Sequence, residues 1–124
     1  MIGMLMAGLS LAGCGSSSKS NPAAPNNGTL TARWNGTDGI GTLFSQRCTP
    51  CHISQSQNGY NLSNYGNAMS GGRITPGDAN NSFIIKKLTG DPNVGARMPN
   101  GGPYLAASEI DTIKVWINAG ALNN

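Results

Sequence analysis

Cys48-Thr49-Pro50-Cys51-His52 brings two thiols and an imidazole within five residues, and that His is the only one in the chain. The C-x-x-C-H spacing is the attachment signature of c-type haem. On a helix, residues three apart share a face, so both thiols can reach the two vinyl groups of one porphyrin and form thioethers. His52, four residues after Cys48, then lies under the ring with its imidazole toward iron. Other chemistries compete for the same residues. Zinc needs four ligands, and Cys48, Cys51 and His52 leave it one short once the third cysteine is assigned elsewhere. A thioredoxin-like redox pair requires a strand before the first Cys and a βαβ body, whereas the residues before Cys48 read as helix. A plain disulfide loop between Cys48 and Cys51 is the last alternative.

One histidine leaves the second axial position of a haem to another residue, and a soft thioether is the ligand that suits electron transfer. Met98, followed by Pro99 in a proline-flanked loop, is the candidate distal ligand. Met69, only a short way past His52 in a glycine-rich stretch, is expected to pack on the porphyrin edge. Were the sixth position open, the same residues would make a haem sensor or a peroxidase-like enzyme, but no distal His and no clustered acid–base groups accompany them. Arg97, beside Met98, and Arg73 are candidate partners of the haem propionates.

The elements that must hold these residues read as helices joined by long loops. Ile40, Leu43, Phe44, Arg47, Cys48 and Cys51 recur at three- and four-residue spacings, with Thr37 or Thr42 as cap. A glycine- and asparagine-rich stretch over 56–72 contains a short helical turn at Tyr65 to Met69. Asp78 or Ser82 starts a helix through Phe83, Ile84, Ile85 and Leu88, and Gly90 stops it. Residues 91–104, with three prolines, form a loop without regular structure. A last helix runs from about Ser108 to Ala119, started by Ser108 with Asp111, with Ile110, Ile113, Trp116 and Ile117 on its apolar face and Gly120 after it. The fold class expected is all-α, three to four helices with long loops wrapped around one covalent haem.

Composition agrees with a small body that needs help to stay folded. The 124 residues include 18 Gly and are 38% hydrophobic, 6% aromatic and 10% charged. Such a thin core is usually supplemented by a disulfide, a metal or a cofactor. The formal charge of +3 is spread as isolated cations, so no nucleic-acid stripe and no polybasic membrane patch is present.

The long apolar run Ile2–Ala12 is too short for a membrane span, which takes roughly 20 residues. It ends in Leu11-Ala12-Gly13-Cys14, which resembles the lipobox of bacterial lipoproteins. That resemblance implies cleavage of residues 1–13 as a signal peptide, lipid on Cys14, and a place in the bacterial cell envelope. Gly15 after the lipidated position points to the outer membrane, facing periplasm or exterior. Residues 14–35, rich in Ser, Asn, Pro and Gly, read as a flexible tether, and residues 36–124 as the domain.

From about Ile40 to Ala121 the chain resembles the small single-haem class I cytochrome c domains, a type frequent in planctomycetes and other bacteria with exported cytochromes. The matching residues are Cys48-Thr49-Pro50-Cys51-His52, Pro76-Gly77-Asp78 followed by Ser82 and Phe83, Met98-Pro99, and Trp116 through Ala121. The resemblance implies one covalent haem c, His52 as proximal and Met98 as distal ligand, and first and last helices that cross beside the haem with Trp116 in the crossing. It implies an electron carrier that exchanges single electrons with redox-partner proteins and transforms no substrate. Mitochondrial-like relatives place a Gly four residues before the first helix's aromatic, where this chain has Ile40. They also orient the proximal His with a Pro carbonyl soon after the motif, but no Pro lies between His52 and Pro76. The sequence therefore names no partner for the imidazole N–H.

Overall fold

The computed structural model describes residues 30–124; the expected signal peptide, Cys14 and the expected tether up to residue 29 lie outside them. Among the described residues there are four α-helices and no strand: α1 (Ile40–Arg47), α2 (Tyr65–Met69), α3 (Phe83–Thr89) and α4 (Ala107–Asn118). Single tight helical turns stand at Gln57–Gly59, Ser70–Gly72 and Pro92–Val94. The fold is all-α. No helix among the described residues is long and apolar enough to cross a membrane.

At its start α1 takes no side-chain cap. Its first N–H groups are met by main chain: Ile40 N donates to Arg33 O at 2.9 Å and Gly41 N to Trp34 O at 3.0 Å. These orphan donors would otherwise need a capping side chain or water. Thr42 Oγ1 instead donates to Gly36 O at 2.7 Å, so neither threonine acts as the expected cap. The folded body therefore takes in the end of the stretch read as tether. Trp34 is 7% exposed, with Leu30 and Ala32 packed beside it against the core.

Trp34 also joins the helices. Its ring centroid lies 6.0 Å from Phe44 of α1, 5.6 Å from Tyr65 of α2 and 5.6 Å from Trp116 of α4. Gly41 makes the approach possible, because a Cβ there would sit 2.9 Å from the indole. The C-terminus closes over the same residue, with Trp34 N donating to Asn124 Oδ1 at 3.2 Å and Asn35 N to Asn124 O at 2.8 Å. Trp116 Nε1 donates to Leu122 O at 2.8 Å.

Ser82 stands at the position that starts α3, as one of the two expected caps, but its side chain and that of Asp78 both bond within the turn ahead of the helix. Asp78 accepts from Asn81 N and Nδ2 at 3.1 and 2.6 Å, and the Asn81 side chain holds its carboxyl below the usual range. Ser82, fully buried, accepts from Thr75 N at 2.9 Å and donates to Asp78 O at 2.8 Å. Ile84 N is satisfied by Arg73 O at 3.1 Å. Gly90 ends the helix in the left-handed conformation, φ +81°, as a C-terminal glycine should. In α4 the starting contact comes from Glu109, whose Oε2 accepts from Ala106 N at 2.7 Å, rather than from Ser108 with Asp111.

Replacing Trp34 by Ala removes the aromatic group that three helices share. Trp34→Ala is expected to lower stability by about 3–5 kcal/mol, checked by the urea midpoint of the purified protein.

Candidate haem-attachment site

Helix α1 ends at Arg47, so the motif lies just past the helix rather than on it. The helical spacing survives in the turns that follow: Cys48 N donates to Phe44 O and His52 N to Cys48 O, both at 2.9 Å. Cys48 and His52 thus keep the i, i+4 relation that the motif requires. Neither Cys48 nor Cys51 is in a disulfide; Cys51 is exposed and Cys48 half-buried.

The loop after the motif folds back on His52. Leu62 N donates to the His52 carbonyl at 2.6 Å, and His52 Nδ1 lies 3.0 Å from Tyr60 O. A carbonyl only accepts, so this bond requires the Nδ1–H tautomer and leaves the Nε2 lone pair free for a metal. Tyr60 is thus the imidazole partner that the sequence did not name. Its role is played by main chain, which no side-chain pattern reports. The Tyr60 ring is buried, its hydroxyl donates to Ala68 O at 3.1 Å, and burial raises that hydroxyl above its ordinary pKa.

A cavity of about 530 Å³ opens beside the motif, lined by Cys48, Cys51 and His52 on one side and by Met98, Pro99 and Pro103 on the other. A second cavity of about 210 Å³ continues toward the core, bounded by Phe44, Tyr60, Leu62 and Ile84. Both share Cys48, His52, Leu88 and Met98. The combined space is of the size that holds a cofactor, roughly 300–1,000 Å³. Met69 lines neither cavity and packs against the core.

The charge at the cavity is one-sided. Arg47, Arg73 and Lys87 line it, and no Asp or Glu does. Arg73 stacks 4.6 Å from the Tyr60 ring centroid and donates to Asn58 O. Arg97 lines neither cavity: its Nε donates to Leu88 O at 2.9 Å and its guanidinium lies 4.2 Å from the Tyr104 ring centroid. Of the two arginines proposed for propionates, Arg73 is at the cavity and Arg97 is engaged elsewhere. Lys87 was missed by sequence reasoning because it reads as an ordinary exposed position of α3.

The Cys48 thiol does not have the character of a redox nucleophile. Burial pushes the Cys48 thiol up to about 12, against the pull of Arg47, whereas an attacking thiol needs a lowered pKa. Nor do the thiols and imidazole form a metal cluster by themselves: among the described residues, no group of three or more His, Cys, Asp or Glu could hold an ion. Compared with protein-family models, curated proteins and solved structures, the chain matches none of them.

Because the imidazole is held by main chain, Tyr60→Phe is expected to lower stability by about 1 kcal/mol and leave the His52 ring in the Nδ1–H tautomer. Urea unfolding measures the first and ring ¹⁵N shifts the second.

Proposed function

We propose that this chain is a membrane-tethered c-type cytochrome that carries single electrons between redox-partner proteins. It would hold one haem, joined through thioethers at Cys48 and Cys51, with His52 as proximal and Met98 as distal ligand. The observation that carries the reading is that Cys48, Cys51 and His52 line one cavity of cofactor size together with Met98, which is distant from them in sequence. The donors fit the group: two thiols three residues apart, an imidazole with Nε2 left free, and a neutral thioether.

Each residue then has a definite task. Tyr60 O holds the imidazole in one tautomer and orientation, which also makes it a stronger ligand. Phe44, Leu62 and Ile84 exclude water from the inner part of the cavity. Arg73 and Lys87 supply positive charge where propionates would need it. Haem iron with one His and one Met ligand supplies a one-electron couple at raised potential. With no open coordination site in this arrangement, the chain binds no substrate at iron and acts as a carrier, a membrane-bound relative in kind of the class I cytochrome c domains it resembles. Lipid on Cys14 would place it in the bacterial envelope, at the outer membrane.

Two measurements test the reading. Protein matured in a host with haem-attachment machinery should keep its haem through acid acetone and on a denaturing gel, and complete extraction would refute covalent attachment. Met98→Ala should turn low-spin ferric haem high-spin or water-bound, lower the potential and admit carbon monoxide, while Met69→Ala leaves the spectrum unchanged. If the wild-type ferrous protein already binds carbon monoxide rapidly and Met98→Ala changes nothing, the sensor or peroxidase-like alternative replaces the carrier. For the anchor, Cys14→Ser should release the protein in soluble form, and mass spectrometry should find lipid on Cys14 of the wild type.

A further inference from the structure

Residues 97 and 98 are docked on the end of α3. The last carbonyls of a helix have no partner within it, and here two of them are used by the returning loop: Met98 N donates to Lys87 O at 3.0 Å and Arg97 Nε to Leu88 O at 2.9 Å. The Arg97 stem lies across Gly90, where an added Cβ would stand 3.0 Å from its Cδ. Its guanidinium covers Tyr104, a residue 42% exposed to solvent, at 4.2 Å from the ring centroid. The main chain at Tyr104 is tied in turn to the end of α1, since Arg47 Nη2 lies 3.2 Å from Tyr104 O.

The arc from Met98 to Tyr104 is thereby closed at both ends by one side chain. Arg97 links its start to α3 and its finish to its own planar face, and Arg47 fixes the finish beside Cys48. A Met98 side chain leaving the cavity with its backbone breaks the Met98 N–Lys87 O bond and pulls on the neighbouring Arg97–Leu88 bond and Arg97–Tyr104 stack. We propose that Arg97 is a positioning residue for Met98: it sets how often the thioether leaves the cavity and so how accessible the sixth coordination position becomes to outside ligands. The inference rests on the reading of Met98 as distal ligand and adds to it a residue that never touches the cofactor cavity.

The bond and the stack, both made by the guanidinium plane, carry the effect. A hydrogen bond from a charged donor is worth enough to shift an opening equilibrium about tenfold or more, and the planar face adds a smaller contribution from Tyr104.

The test uses the ferric holoprotein and imidazole as probe, with the binding rate taken at saturating imidazole, where loss of Met98 is limiting. Arg97→Gln and Arg97→Lys should each raise that rate about tenfold and weaken the long-wavelength band of a thioether–ferric iron bond. Tyr104→Leu, at an exposed position, should raise it a few-fold. In a Met98→Ala background, none of these changes should alter imidazole binding. Unchanged rates in Arg97→Gln and Tyr104→Leu would overturn the proposal, as would rescue by Arg97→Lys, which would show that the guanidinium's fixed bond and planar face are not what holds the arc. An equal acceleration in the Met98→Ala background would overturn it too, since the role would then be general access. If Arg97→Gln does not fold, Tyr104→Leu decides alone, an unchanged rate overturning the proposal. A wild type that binds imidazole as fast as Met98→Ala would instead refute Met98 as ligand, and absence of covalent haem would refute the site itself.

Discussion

The packing of Trp34 between α1, α2 and α4 is the contact on which the rest of the molecule depends. None of these helices is long enough to be stable alone, since isolated helices shorter than about 12–15 residues are marginal in water. A single indole touching Phe44, Tyr65 and Trp116 gives each of them a common apolar partner. The same segment supplies the carbonyls of Arg33 and Trp34 to the first N–H groups of α1. Placing α1 in this way determines where its C-terminus falls, and Cys48 is the next residue. The attachment motif is therefore aimed by aromatic packing at the opposite end of its helix.

The site has two walls, and each is an exit from a helix. On one side the chain leaves α1, turns through Cys48 to His52 and is locked by residues 60–62 of the following loop, which bind His52 through its carbonyl and its ring nitrogen. On the other it leaves α3 at Gly90 and returns at Arg97 and Met98 to bond the carbonyls of Lys87 and Leu88. The wall after α3 is anchored on carbonyls that the helix end leaves unpaired, and the wall after α1 on the carbonyls of His52 and Tyr60. Arg47 spans the two walls by bonding the carbonyls of Pro103 and Tyr104. Rigid presentation of loop residues would suit the proposed electron carrier, because a ligand that wanders would change both potential and reorganisation.

The distribution of polar character fits that use. Cys48, half-buried with its thiol pushed up to about 12, sits where an apolar partner suits it better than an anion does. The cations Arg47, Arg73 and Lys87 stand at the cavity while the acidic side chains are employed away from it: Asp38 pairs with Arg33 at 2.6 Å, Asp78 closes the turn before α3, and Glu109 starts α4.

What the sequence determined by itself is what depends on neighbours along the chain. Apolar spacing and Gly90 delimited α3 closely, the short turn at Tyr65 to Met69 is α2 with the same bounds, and the four α4 core residues are those of its apolar stripe. Residue type and order also singled out the five-residue motif and Met98, and the structure brings them to one cavity. Tertiary structure alone decided what rests on main chain or on distant contacts. The carbonyl of Tyr60 has no letter in the sequence, so the orientation of His52 could not be read from it. Trp34 looked like the end of a tether because its partners lie at positions 44, 65 and 116. Arg97 looked like a free cation beside Met98 until α3, ending at Thr89, offered it a carbonyl. Side-chain periodicity reports which face of an element is apolar; it carries no information about which backbone groups a helix leaves unpaired at its ends or which loop comes back to satisfy them.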